Sequence, residues 1–250
     1  MLDNNQKPHA FYDAENGYRV VSVLPETESK HLVARVLDDR IDFSPVYKDT
    51  DKCLVGRFQY PDLGELVLKI PRARSRRRWE RFLTLFRSGE GIRQFENMQK
   101  LLELGLKGPR PVLAAEKRRK GVVVDSFYAY GFVAGREGSR NDLDAIVKAL
   151  LPLYEQGYCR ADPQVANHII EGDEVYLIDF RVSRPLLFGK LRCAMELCQL
   201  VMDKPFAVQL GHKIGLGPTL VGLAWNTQRL SQRLRKIRQG LKRSLAGRRS

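Results

Sequence analysis

The sequence predicts an α+β fold in two lobes: an antiparallel sheet that carries one inserted helix, followed by a mainly helical half. Three observations lead there. Between residues 45 and 133, short apolar or alternating runs are separated by turn residues, the pattern of successive strands. One segment among them, residues 92–106, repeats its apolar residues at helical spacing instead. From Leu186 onward the periodicity is helical to the end. The 250 residues, 43% hydrophobic and 29% charged, suffice for one large domain or two small lobes around a buried core. That composition excludes collagen, coiled coil and general disorder.

The elements follow in order. Residues 18–24 and 31–37 have the length of a strand or a short helix, and both readings stay open. Val46-Tyr47, residues 53–58 and residues 65–70 read as three antiparallel strands, joined by a polar turn at 48–52 and the Pro61-Asp62-Leu63-Gly64 turn. In the helix, Ile92, Phe95, Met98, Leu101, Leu102 and Leu106 form the apolar face, and Gly105 and Gly108-Pro109 end it. Strand-like runs return at 112–115, 122–124 and 127–133, and the six runs are read as a five-stranded sheet. A helix over 141–156 follows, capped by Ser139 or Asn141. A loop with Asp162 and Asn167 leads into a hairpin, 168–170 and 175–178, turning at 171–174. The expected organisation is residues 1–131 as the first lobe with its N-terminal region, 132–225 as the second lobe, and 226–250 as a basic amphipathic helix.

The net charge is +14, and two segments hold it. Residues 69–81 carry seven basic residues and one acid, and residues 226–250 carry nine basic residues and no acid. The rest of the chain is close to neutral. A surface so polarised calls for an anionic partner. In the last segment Leu230, Leu234, Ile237, Leu241 and Leu245 recur at spacings of four, three, four and four, which places them on one helix face with basic residues around it. Two readings stand: a helix in the interface of an anionic membrane, with Trp225 anchoring its start, or a helix whose leucine face packs on the domain. Nucleic acid is not expected, since no aromatics interleave with the charges and no recognition module is visible. No apolar run reaches the ~18 residues needed to span a bilayer, and the start lacks a signal-peptide layout, so the expected place is the cytoplasmic side. Cys53, Cys159, Cys193 and Cys198 contain no C-x-x-C pair and are expected to be reduced and buried.

The chemistry is carried by a constellation. Asp162 and Asn167 stand five positions apart on a loop, and the hairpin returns the chain to Asp179-Phe180. That is the order of a kinase catalytic loop followed by a metal-binding Asp-Phe. Lys69 is the single charge in Leu66-Val67-Leu68-Lys69-Ile70, and Glu96 lies on the helix that follows; Glu90 and Glu103 lie on or near the same helix, and Glu96 is favoured because Phe95 and Met98 around it face the sheet. Phosphoryl transfer needs charge neutralised on the phosphates and an acceptor hydroxyl held in line. Asn167 and Asp179 would hold Mg²⁺ through oxygen, Lys69 would meet the phosphates of ATP and pair with Glu96, and Asp162 would act on the acceptor hydroxyl. Each residue also has a plain structural alternative. Lys69 could guard a strand edge, Asp162-Pro163 could be a turn, Asn167 a turn cap and Asp179 a solvated strand end.

From about residue 45 to 188 the chain resembles the lipopolysaccharide core heptose kinases, small bacterial members of the protein-kinase-like fold. The likeness lies in Leu66 to Ile70, in Trp79-Glu80-Arg81-Phe82-Leu83, in Leu104-Gly105-Leu106 after Glu96, in Tyr130-Gly131-Phe132-Val133-Ala134-Gly135, and in the Asp162 to Asn167 loop with Ile178-Asp179. The resemblance implies two lobes meeting near Phe132 with ATP between them, and Mg²⁺ as cofactor. It implies a heptose of the lipopolysaccharide core as acceptor, at the cytoplasmic face of the inner membrane. The family lacks a glycine-rich loop, and the turn at 48–52 has no glycine. The alternatives are a kinase for another acceptor, protein or core sugar, and a non-catalytic scaffold of the same fold that binds membrane or acidic partners. The chain departs from a usual kinase at Arg160-Ala161 before Asp162, a change expected to weaken support of that loop, and at Arg181 in place of glycine after Phe180. The basic residues from Arg72 to Arg81 could meet phosphates or carboxylates of the core, or form a solvated loop.

Overall fold

A computed structural model describes residues 7–72, 82–160, 163–185 and 187–246, and the side chains of 232, 234–236 and 238–246 are outside that set. The chain divides into two units, the first comprising residues up to Glu103 with Lys107–Ala134, the second Leu104–Leu106 with Gly135 onward. The α+β class expected from the sequence is the class observed.

The first unit holds strands β1 (His9–Asp13), β2 (Tyr18–Ser22), β3 (Phe43–Asp49), β4 (Cys53–Tyr60), β5 (Gly64–Pro71), β6 (Pro111–Arg119) and β7 (Val122–Gly131), with helices α1 (Glu26–Leu37) and α2 (Glu90–Glu103). The sheet is antiparallel throughout, in the order β1-β2-β6-β7-β5-β4-β3. It therefore has seven strands where the sequence suggests five. The β1–β2 hairpin adds two at the free edge of β6, and the two runs expected at 122–124 and 127–133 are one continuous strand. Residues 31–37, left open as strand or helix, belong to α1. Ser29, Leu32, Val33 and Val36 recur at helical spacing and are its buried face.

Pleating sorts the sheet into two faces. Leu66, Leu68, Leu113, Ala115, Phe127 and Ala129 share one face with Tyr18 and Val20, in a core that includes Leu32, Val33 and Val36 of α1. Lys69 pairs with Tyr128, and Tyr128 with Ala114, so these three point to the opposite face, as does Glu116 two residues on. That face receives α2. Ile92, Phe95 and Leu101 of α2 are fully buried and Met98 nearly so. At about 1.5–3 kcal/mol for each large side chain buried, this outweighs any difference in local helix propensity.

The first turn of α2 sits against strand backbone. A Cβ on Gly91 would stand 2.6 Å from the Phe127 carbonyl oxygen and 3.4 Å from that of Ala115. Just before the helix, the Gly89 N–H donates to Glu116 Oε2 at 2.6 Å, while Arg118 Nε donates to Glu116 Oε1 at 2.9 Å. The Glu116 side chain is wholly buried, and its negative charge at the positive end of the helix adds to the hydrogen bond.

The second unit contains β8 (Arg136–Glu137), α3 (Leu143–Ala149), α4 (Leu151–Glu155), β9 (Cys159–Arg160), β10 (His168–Glu171), β11 (Glu174–Leu177), β12 (Val182–Ser183), α5 (Gly189–Val201), α6 (Lys204–Lys213) and α7 (Pro218–Ala246). The single helix expected over 141–156 is two, because Pro152 in the first turn of α4 has no N–H to continue the ladder from α3. Of the two candidate caps, Ser139 takes the role, in a capping box with Asp142 ahead of α3. Strands β11, β10 and β8 form a small sheet, and β12 pairs with β9. Cys159, Cys193 and Cys198 are buried, Cys53 is half-buried, and all four are free thiols. Among the described residues no helix is long and apolar enough to cross a membrane.

Gly91→Ala should destabilise the first unit although alanine is the better helix former. The propensity gain is at most about 1 kcal/mol, whereas forcing a methyl against two carbonyls costs about 1–3 kcal/mol. Equilibrium unfolding in urea would show a lower midpoint for the variant.

Candidate functional site

The β10–β11 hairpin brings two of the expected site residues together. His168 pairs with Leu177, and beyond that pair the Ile178 N–H donates to the Asn167 carbonyl at 2.9 Å. Asn167 thus lies across from Ile178, one residue from Asp179. Asp179 is exposed and has a φ of 47°, the left-handed region that a residue with a Cβ seldom occupies. Phe180 after it is buried at 3% exposure and anchors the turn. Past it, Val182 pairs with Arg160 and Ser183 with Cys159. The backbone on both sides of the Asp162 loop is therefore fixed by short strand pairs. Asp162 and Ala161 lie outside the described residues.

Arg160 is the centre of a buried polar network that the sequence did not reveal. Its backbone N–H donates to Glu196 Oε2 at 2.7 Å and its Nε to Glu196 Oε1 at 2.6 Å. Tyr154 donates its hydroxyl to the same Oε1 at 3.0 Å. Arg160 Nη1 stands 2.8 Å from His168 Nε2, and His168 Nδ1 stands 3.0 Å from the Val165 carbonyl. An arginine is always a donor, so Nε2 accepts and Nδ1 carries the proton, which fixes a neutral histidine. Burial, and then the Arg160 charge, push the His168 pKa down to about 4. Among the described residues, Arg160 Nη2 is buried with no hydrogen-bond partner. The expectation that Arg160 weakens the loop is corrected: Glu196, on α5, clamps both its backbone and its side chain. The available signal was Glu196 itself, the only acid between Asp179 and Asp203.

Lys69 projects from β5 onto the α2 face of the sheet, half-buried, with Nζ 6.0 Å from the centre of the Tyr128 ring. Glu96 is not beside it. The charges near Glu96 are Arg19, Glu116 and Arg93. Arg19 is on β2, three strand spacings from β5, or about 14 Å. The reason is helical phase. Phe95 and Met98 face the sheet, and Glu96, one position on from Phe95, is turned about 100° away to an exposed flank. Loss of water raises its pKa, Arg19 opposes that, and Glu116 adds to it. The pairing of Lys69 with Glu96 is thus not formed. Of the basic segment, residues 73–81 lie outside the described residues; Arg72 pairs with Asp49 at 2.6 Å.

Asn167 and Asp179, close in backbone, carry an amide oxygen and a carboxylate, donor types that suit Mg²⁺. That ion takes one or two protein oxygens and completes its shell with phosphate and water. Among the described residues no group of three or more His, Cys, Asp or Glu side chains could hold a metal ion.

Glu196→Ala should cost about 3–5 kcal/mol, because it leaves the Arg160 charge buried and unpaired. The double variant Arg160→Met/Glu196→Leu should recover the part of that loss that comes from the buried charge, but not all of it, because the residue-160 N–H, the Tyr154 hydroxyl and His168 Nε2 lose their partners. Urea unfolding of the two variants beside the parent distinguishes a charge effect from simple loss of packing.

No protein-family model matches the chain, and no curated protein matches it. Among solved structures it is similar to WaaP in complex with acyl carrier protein, at 14% identity over 73% of this chain and 79% of that one, with a TM-score of 0.49. It is similar to macrolide 2′-phosphotransferase MphH from Brachybacterium faecium, at 11% identity over 81% and 89% of the two chains, with a TM-score of 0.45. It is also similar to amicoumacin kinase hAmiN in complex with AMP-PNP, Ca²⁺ and Ami, at 12% identity over 80% of each chain, with a TM-score of 0.44. At these identities the likeness concerns fold alone.

Proposed function

We propose that this protein is an ATP-dependent kinase whose acceptor is a sugar hydroxyl, a heptose of the lipopolysaccharide inner core. The observation that carries the reading is the edge formed by Asn167 and Asp179. A hairpin sets the Asn167 backbone across from Ile178, the residue before Asp179, and Asp179 holds a left-handed backbone conformation that costs on the order of 1 kcal/mol or more. Such a cost is retained where the surroundings over-determine the geometry, and here Phe180 and the β9–β12 pair do so.

Phosphoryl transfer asks the protein mainly for position and charge. Asn167 and Asp179 are the residues that would hold Mg²⁺, which when bound supplies positive charge to the phosphates of ATP. Lys69, the single charge on its strand, is assigned to the same phosphates. Asp162 is assigned to the acceptor hydroxyl, whose proton it would orient or accept. The network of Arg160, Glu196 and His168 holds the backbone that leads into Asp162 and out of Asn167. The acceptor assignment rests on the resemblance carried by residues 66–70, 130–135 and 162–167. A lipid-linked acceptor would place the enzyme at the cytoplasmic face of the inner membrane.

Asp179→Ala should abolish phosphate transfer from ATP to isolated core oligosaccharide while unfolding at the parent temperature, since the side chain is exposed. Parental activity in this variant would overturn the metal assignment. Asp162→Asn should lower turnover by about 10²-fold or more with nucleotide affinity nearly kept, the scale of lost acid–base assistance. Equal losses in ATP affinity and turnover would move Asp162 to the nucleotide. The mass of core oligosaccharide from cells with and without the protein tests the acceptor: a phosphate-sized loss supports heptose phosphorylation, and an unchanged core removes it.

A further inference from the structure

We propose that α7 docks the protein on an anionic membrane surface through its outward face. The inference stands apart from the phosphotransfer reading. Early in α7, Val221 and Ala224 are fully buried, and the Val221 carbonyl accepts from Cys198 of α5. That face is the packed one. Leu223, Leu230 and Ile237 follow at intervals of seven and are 54%, 59% and 59% exposed. Seven residues are nearly two turns, so the three share one stripe, about 21 Å long at 1.5 Å per residue.

The stripe points away from the core. Val221 and Ala224 lie about 160° and 100° around the helix from Leu223, so the apolar stripe and the packed face are different faces of one rod. The reading in which the leucine face packs on the domain therefore fails for the part of the helix whose side chains are described. Trp225 is not the stripe's anchor, because it follows Val221 by four residues and is half-buried on the packed side.

Charge decides what covers the stripe. Arg229 and Arg233 beside it are exposed, and residues 226–250 contain nine basic residues and no acid. A second copy would set like charges against like charges along the whole contact, which disfavours helix pairing. A nucleic-acid backbone would meet the arginines and leave the leucines in water. An anionic lipid surface accepts both, with head groups on the flanks and the acyl boundary under Leu and Ile.

The experiment uses the full chain, without ATP or acceptor, sedimented with vesicles of phosphatidylglycerol and, separately, of phosphatidylcholine. The parent should bind the first at low salt, bind the second weakly, and lose binding as salt rises. Leu230→Glu/Ile237→Glu and Arg229→Glu/Arg233→Glu should each weaken binding by about tenfold or more while unfolding at the parent temperature, because all four side chains are exposed. Failure of the parent to bind anionic vesicles overturns the proposal. So does parental binding by the leucine variant, unfolding of that variant, a dimer in sedimentation equilibrium that the leucine variant dissociates, or stronger binding to duplex nucleic acid than to vesicles. Activity plays no part in the readout, so loss of the kinase assignment would leave this result standing.

Discussion

A guanidinium and a carboxylate removed from water each lose several kcal/mol of hydration, and they keep a fold only by remaining together. Arg160 and Glu196 are about 1% and 2% exposed in their side chains, so wherever the chain carries Arg160, α5 must carry Glu196. The Glu196 carboxylate takes the Arg160 backbone N–H as well, which fixes main chain and not merely a side-chain tip. Through Arg160 the constraint passes in two directions. Val182 pairs with it on one side, and His168 receives its Nη1 on the other. The segments that follow Asp179 and Asn167 are thereby tied to one helix in the interior of the unit. Burial first, and the neighbouring Arg160 guanidinium second, make a positive charge on His168 unfavourable, so the histidine is buried without charge.

The first unit obeys a parallel rule. Glu116 is a buried carboxylate whose partners are Arg118, Arg19 and a helix N-terminus, and Gly91 lets that helix rest on the sheet backbone itself. The depth and phase of α2 are both set by these two residues. Phase in turn decides which polar side chains flank the sheet. With Ile92, Phe95 and Met98 turned inward, Glu96 emerges over β2, and Lys69 lies several strands away under the same helix.

Much of this was legible. The turns at 48–52 and 61–64 delimit β3, β4 and β5, and the helical spacing of residues 92–101 announces α2, because in both cases the apolar pattern and the turn chemistry agree. The 168–178 hairpin is legible for the same reason, and with it the approach of Asn167 to Asp179. Strand β1 was not, since most of its side chains are exposed and leave no alternation to read. Residues 31–37 span too few turns to reveal a period that becomes plain once Ser29 is included. Glu96 was assigned from its neighbours in sequence, yet on a helix the adjacent residue is a quarter-turn or more away. Glu196 lies 34 residues beyond Asp162, on an element the motif does not include. The left-handed backbone at Asp179 leaves no trace in the sequence, because a glycine would announce it and an aspartate does not.

Helix α7 joins these levels. Its first turns are held by α5, so the orientation of the whole rod relative to the second unit is set by core packing at Val221 and Ala224. The stripe beyond them inherits that orientation without a hinge, because the helix runs unbroken from Pro218 to Ala246. On the functions proposed above, a docking face rigidly joined to the second unit would do more than hold the protein at a surface. It would fix which side of the unit meets that surface, and so confine the search for a lipid-linked acceptor to a thin layer in which its effective concentration is high. A flexible basic tether would raise concentration equally but leave orientation free. The unbroken helix is the feature that would supply both.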